Sequence, residues 1–205
     1  MTDKPLYIRE TVSKRKLIDA GKTLFFKYGY RKVTVEEICK SAGISKMTFY
    51  RFFGNKIDLL RFILTKISDD GMKSYSEIMN QNISFEEKIR TIVQMKLESA
   101  EQFSDELLKD VYDDLDKGLM IMLQKMTGEI MIRVMADFKV AQEQGHIRKD
   151  LNLAFIPYFL NQINNLVKDP VLLDMYHGNI REVMTELTNF FFYGILIPGE
   201  KMQNE

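Results

Sequence analysis

The stretch Gly43 to Lys56, GISKMTFYRFFGNK, sorts its side chains by face so sharply that few folds accommodate it. Ile44 follows a glycine and precedes Ser45, whose hydroxyl can accept the free amides of a helix start, so a short helix is predicted from Ser45 to Phe53. At about 100° per residue, Phe49, Phe52 and Phe53 fall on one side, while Met47, Tyr50 and Arg51 point the other way with Lys46 and Thr48 flanking them. About nine residues of helix are marginal alone in water, so three phenylalanines must dock this one on its neighbours and present its other face rigidly. Taken in isolation such a face is most simply solvated surface; the flanking sequence argues otherwise.

Upstream, Arg9 to Tyr28 carries Val12, Leu17, Ile18, Ala20, Leu24 and Phe25 near helical spacing, and Gly29 supplies a left-handed stop. Thr34 and Glu37 have the S/T-x-x-E form of a capping box, which opens a second helix from Val35 to Ala42 with Ile38 and Cys39 inward. Gly43 then makes the turn. Downstream, Asn55 caps a fourth helix that starts at Lys56 and runs past Ser68 to about Met79, with Ile57, Leu60, Phe62, Ile63, Leu64 and Ile67 as its apolar content.

Helices so spaced form a small three-helix unit of the helix-turn-helix kind joined to a connecting helix. The residues F-x-x-x-G-Y-R-K-V-T-V-E-E-I from Phe25 to Ile38, A-G-I-S-K-M-T-F-Y-R-F-F from Ala42 to Phe53 and N-K-I-D-L-L from Asn55 to Leu60 resemble the TetR family of regulators, over about the first quarter to third of the chain. The chemistry of the outward face agrees with a nucleic-acid partner. Lysine and arginine supply charge to phosphates, Thr48 and Tyr50 supply hydroxyls, and Met47 or the Thr48 methyl suits a thymine methyl. The resemblance implies that Thr34 binds a phosphate, that Ser45, Lys46, Met47, Thr48, Tyr50 and Arg51 form the recognition helix and its start, and that Lys56 holds a phosphate at a helix N-terminus. Two positions depart from the family pattern. Phe52 stands where many members carry histidine or another polar residue, so it is read as packing, and Gly54 stands where a lysine is common.

A net charge of zero conceals a polarised chain: residues 1–66 hold 15 Lys/Arg and 6 Asp/Glu, the remainder 14 and 23. A head of +9 attracts DNA through counterion release, and a body of −9 is repelled from it, which orients the molecule on a duplex. The single cysteine, Cys39, has no intramolecular partner and reads as a buried apolar side chain in a reducing cytoplasm. Met1 to Glu10 is polar, so no signal peptide is expected, and the longest apolar run, Phe190 to Pro198, falls far short of the ~18 residues of a membrane span.

The remaining two thirds read as helix throughout, giving an all-α chain: a helix-turn-helix domain over residues 1–55 and a larger helical regulatory and dimerisation domain over 56–205. Ser84 and Glu87 repeat the capping box; a shorter helix is expected over Asp105 to Leu115 and a long one from Leu119 to about Gln144, closed by Gly145. The segment GHIRKDL, Gly145 to Leu151, resembles a turn common in the family. Between Leu153 and Val167, and again between Ile180 and Leu196, apolar residues cover more than one helix face. These are Leu153, Ile156, Leu160, Ile163 and Val167 beside Phe155, Phe159 and Leu166, then Ile180, Val183, Met184, Leu187, Phe190 and Phe191 beside Phe192, Tyr193 and Leu196. Both helices are therefore expected to pair with their copies in a homodimer, with Pro157 forcing a late start or a kink in the first.

The resemblance further implies a small-molecule effector in the body, for which Met95, Phe103, Tyr112, Met131 and Met135 offer an adaptable apolar lining and Gln94, Asn161, Asn164 and Asn165 polar partners. Enzyme chemistry has little support, and no catalytic residue, cofactor or metal is expected. His146 and His177 lack metal-ligand spacing, Asp113, Asp114 and Asp116 read as a solvated face, and there is no glycine-rich phosphate loop or G-x-S-x-G. The expected function is a dimeric, ligand-released regulator on a palindromic DNA operator. The alternatives are a TetR-like interaction module that does not bind DNA specifically and a ligand-binding helical protein.

Overall fold

The computed structural model describes residues 6–113, 116–167 and 169–195, and among them the chain forms α-helices and no β-strand. In chain order these are α1 (Leu6–Tyr28), α2 (Val35–Ala42), α3 (Lys46–Phe52), α4 (Lys56–Met79), α5 (Phe85–Glu101), α6 (Asp105–Asp113), α7 (Lys117–Glu143), α8 (Phe155–Leu166), α9 (Pro170–Met175) and α10 (Ile180–Ile195). They gather into two units. One comprises the chain through Gly71 together with Gln102–Leu123; the other comprises Met72–Glu101 and the residues from Gln124 onward.

The first unit is larger than a head of residues 1–55. Its core is built from Leu17 and Phe25 of α1, Ile38 of α2, Phe49 of α3 and Leu59, Leu60 and Ile63 of α4, but Leu107 of α6 and Leu119 of α7 lie buried in the same cluster. Phe103, just before α6, packs its ring 4.8 Å from that of Phe26, and the Ser104 amide donates to the Phe26 carbonyl at 2.8 Å. Such long-range packing leaves no mark on local periodicity. Val12, counted among the apolar residues of the first helix, is 45% exposed. Asp116, read as part of a solvated acidic face, instead accepts from the Leu119 amide at 2.9 Å and lies 3.3 Å from Arg61 Nη2, so it caps α7 and ties it to α4. Of its acidic neighbours, Asp114 and the Asp113 side chain lie outside the described residues.

The second unit is centred on Phe85, Ile89 and Val93 of α5, Phe138 and Ala141 of α7, Ile147 and Leu151 of the following turn, Ile156 of α8 and Phe191 of α10. The Ser84–Glu87 capping box forms, with amide-to-side-chain distances of 3.0 and 3.2 Å. Gly145 ends α7 at φ 83°, a left-handed conformation that favours glycine, and Gln142 Nε2 then donates to the carbonyls of Arg148 and Leu151 at 3.0 and 2.8 Å, which locks the GHIRKDL turn with Ile147 sealed beneath it. Between α4 and α7, the buried Tyr75 donates its hydroxyl to Asp137 at 3.0 Å, with Arg133 Nε 3.5 Å from the same oxygen; burial, then the Asp137 charge, push the phenol well above its ordinary pKa.

α8 does start late. It begins at Phe155 rather than Leu153, so Pro157 sits in the first turn, where its missing amide costs nothing. Its Ile156 and the following Val167 are buried, while Phe155, Tyr158 and Leu166 on the other face are 49%, 62% and 37% exposed. In α10, Val183 and Phe191 are buried but Phe190 is 74% exposed. The side chains of Leu160, Ile163, Asn164, Phe192 and Tyr193, and Leu196 as a whole, lie outside the described residues. The short α9 escapes helical periodicity, although Asp169 accepting from Val171 and Leu172 with Pro170 behind it is a sequence-level start signal.

Candidate nucleic-acid interface

The outward face of α3 is set by four local devices. Thr34 forms its capping box with Glu37: the Glu37 amide donates to Thr34 Oγ1 at 3.2 Å, and the Thr34 amide and hydroxyl each donate to Glu37 Oε2 at 2.8 Å. Those bonds, the amide first, hold the Glu37 carboxyl below its ordinary pKa. Gly43 then turns the chain at φ 64°, its amide donating to the Lys40 carbonyl at 3.2 Å and the Ile44 amide to that of Cys39 at 2.9 Å. Ser45 caps α3 by accepting from the Thr48 amide at 3.2 Å, and the two hydroxyls lie 3.0 Å apart. Finally Phe49 is fully buried, with the Phe53 ring 5.8 Å away and the edge of Tyr50 at 5.4 Å.

Seven residues of helix are thus held at both ends and from beneath. Met47 is 85% and Tyr50 54% exposed on the opposite face. Lys46 and Arg51 are exposed beside them, and Arg51 lies 5.2 Å over the half-buried ring of Phe52, which packs as its apolar character predicts.

Two cations are engaged in ways that periodicity does not reveal. Lys46 Nζ forms an ion pair and hydrogen bond with Glu36 of α2, which raises the lysine pKa and lowers that of the carboxyl. Lys56, expected to hold a phosphate, donates to the carbonyls of Arg31 and Val33 at 2.7 and 2.8 Å, and burial there lowers its pKa. Its place at the N-terminus of α4 is supplied by Asn55, which accepts from the Ile57 and Asp58 amides at 2.8 and 3.0 Å. Thr34, Ser45, Lys46, Met47, Thr48, Tyr50 and Arg51 therefore share the α2–α3 region, with Lys56 bracing its approach. Glu36 and Asp110, the latter accepting from the Arg31 amide at 3.0 Å, are the site residues that sequence reasoning missed. Charge complementarity across the Gly43 turn was a usable signal for Glu36; nothing local marks Asp110.

The anticipated effector residues are divided between the two units. Phe103 belongs to the first unit's core, whereas Met95 is half-buried near Tyr75, Ile78 and Ile92 in the second. Met131 is half-buried on α7, Asn161 is exposed on α8, and the Tyr112 side chain lies outside the described residues. Met135 packs against the second unit's core, Gln94 donates to Glu98 at 2.8 Å and Asn165 to Gln162 at 3.1 Å. His146 stacks on Phe85 at 5.5 Å and His177 sits in a turn at φ 52°. Among the described residues no group of three His, Cys, Asp or Glu could hold a metal ion, and no helix is long and apolar enough to cross a membrane.

The family model described as bacterial regulatory proteins, tetR family, matches residues 17–62, which span the buried half of α1, the turn, the recognition helix and the start of α4. Residues 17–62 therefore carry the DNA-binding region of TetR-type transcriptional regulators. An uncharacterized HTH-type transcriptional regulator of Bacillus subtilis, YhgD, is 23% identical to it over 141 residues, 67% of this chain and 74% of that protein. Among solved structures, the regulator FadR of Bacillus subtilis in complex with stearoyl-CoA matches this chain with a TM-score of 0.66 at 15% identity, covering 88% of this chain and 98% of that one. SmeT, the repressor of the Stenotrophomonas maltophilia multidrug efflux pump SmeDEF, matches with 0.66 at 15% identity over 91% of each chain and has also been solved with triclosan. At such identities the structural matches establish the shared all-α fold.

Proposed function

We propose that this chain is a cytoplasmic homodimeric TetR-type repressor that reads a palindromic operator with α3 and is released by a small apolar or amphipathic ligand in its second unit. The observation that carries the DNA reading is the contrast within α3: Phe49 is sealed while its neighbours Met47 and Tyr50 project into solvent. A helix so anchored meets a major groove without first being ordered, with Thr34, Lys46, Thr48 and Arg51 beside its base-reading face. The exposed Phe155, Tyr158 and Phe190 support dimerisation through the helices near 153–167 and 180–196. A two-fold pair sets its recognition helices about one helical turn, ~34 Å, apart.

The ligand class rests on two relatives of the same fold, whose solved complexes hold stearoyl-CoA and triclosan, and on the methionines Met72, Met79, Met95 and Met135 that line the second unit's clusters. Of the residues expected to line such a site, Met95, Met131 and Asn161 fall in this unit. Such a ligand releases DNA only if it binds the DNA-incompetent state more tightly than the competent one. Fluorescence anisotropy with the duplex flanking the protein's own gene tests the reading: preference over a random duplex, lost in Tyr50→Ala and Lys46→Ala, is expected. Wild-type affinity in both variants at matched salt would sink it.

A further inference from the structure

The turn between α1 and α2 is gripped from two remote helices. The Arg31 amide donates to Asp110 Oδ2 of α6 at 3.0 Å, and the Arg31 carbonyl accepts from Lys56 Nζ of α4 at 2.7 Å. The same ammonium takes the Val33 carbonyl at 2.8 Å, while Asp110 Oδ1 lies 3.7 Å from Arg31 Nε. The Asp110 side chain is only 16% exposed. It closes over Gly29, where φ is +77° and a Cβ would come within 2.6 Å of Oδ2, so turn and carboxylate are fitted to one another. Thr34, the cap of α2, is the next residue after Val33.

We infer that Asp110 and Lys56 are positioning residues for DNA binding, clamping Arg31 by both its peptide groups and thereby setting where Thr34 and the α2–α3 pair meet the phosphate backbone. The inference rests on the DNA reading above and changes what Lys56 does within it. Two of its three ammonium protons are committed to backbone carbonyls in the free protein, so its contribution is geometric before it is electrostatic.

The sign of the Asp110 effect separates clamp from charge. Asp110→Ala removes a negative charge from a basic head, which by electrostatics alone tightens DNA binding. The clamp instead predicts binding weaker by about tenfold, the scale of one lost hydrogen bond to a charged acceptor. Asp110→Asn keeps an acceptor for the Arg31 amide and is expected within about threefold of wild type. Lys56→Met cuts the other arm: the clamp lowers affinity with the salt slope unchanged, whereas loss of a phosphate contact lowers the slope by about 0.9.

The experiment is operator anisotropy against salt for these three full-length variants, with hydrogen exchange across residues 29–38. Wild type against Tyr50→Ala tests the DNA reading by itself. Weaker binding and faster exchange over the turn in Asp110→Ala, restored in Asp110→Asn, support the clamp. Asp110→Ala binding as tightly as wild type, or Lys56→Met flattening the slope by about one, overturns it; Lys56→Met decides alone if Asp110→Ala does not fold.

Discussion

Two adjacent residues of the recognition helix, Phe49 and Tyr50, should have opposite consequences when truncated. Phe49 is 0% exposed and has aromatic neighbours at 5.4 and 5.8 Å. A buried aromatic removes about 150–250 Å² from water, which at ~25 cal/mol per Å² is about 4–6 kcal/mol before allowing for the area alanine still buries. Phe→Ala substitutions in cores cost about 3–5 kcal/mol, so ~4 kcal/mol is the expectation for Phe49→Ala. That is a large share of the roughly 5–15 kcal/mol that holds a domain together. Tyr50 is 54% exposed and its edge contact to Phe49 accounts for about 1 kcal/mol. Because the chain has no tryptophan, urea unfolding is best followed by far-UV circular dichroism. With m near ~2 kcal/mol per M, the transition that includes the first unit should move down by about 2 M in Phe49→Ala and about 0.5 M in Tyr50→Ala. Tyr50→Ala should nevertheless lose operator binding in full. Equal midpoint shifts, or a Phe49→Ala shift under about 0.5 M, would refute the argument that this helix exists by virtue of its buried face.

Glu36→Gln should release Lys46 to the phosphates, raising DNA affinity and steepening the salt slope by about 0.9; unchanged binding would show that the ion pair does not compete with DNA. Glu37 and Glu87 both titrate below the ordinary value of 4.5 in the folded chain, so their capping boxes stabilise fully above that value and lose the contribution as pH falls through the lower folded one. The gap in unfolding midpoint between wild type and Glu37→Gln should therefore be widest at neutral pH and close in acid, and a gap constant with pH refutes the assignment. Phe190→Asp, at a 74% exposed position, should leave the fold intact and convert dimer to monomer by light scattering; a dimeric variant excludes α10 from the interface.

Capping chemistry and helical spacing were enough to place α2 to the residue, because Thr34, Glu37 and Gly43 act through bonds within a few positions of themselves. Ser45 likewise marks the start of α3, which is one residue shorter at each end than the expected Ser45–Phe53, and Gly145 marks the end of α7, which begins two residues earlier than expected at Lys117. What local sequence leaves illegible rests on distant contacts. Leu107 and Leu119 join the core of α1 to α4 from more than forty residues beyond α4's start, which no local pattern marks. A lysine at a helix N-terminus likewise offers no hint that Lys56 will donate to two carbonyls 25 and 23 residues earlier. Nor does local pattern reveal that Phe103 meets Phe26, since an aromatic near methionines reads the same in a cavity lining and in a core.

Cys39 lies 5% exposed on the inner side of α2, its thiol pushed up in pKa by burial and then by the nearby Glu36 charge. Since the chain has no other cysteine, a thiol-reactive dye added to the native protein has one target, and that target becomes nucleophilic only when α2 lifts. Labelling kinetics thus report the opening of the first unit alone, with no engineered probe and no signal from α5 or α8 to α10. An effector or operator that stiffens the head would slow the reaction, so the protein carries its own stopwatch for the step that joins folding to regulation.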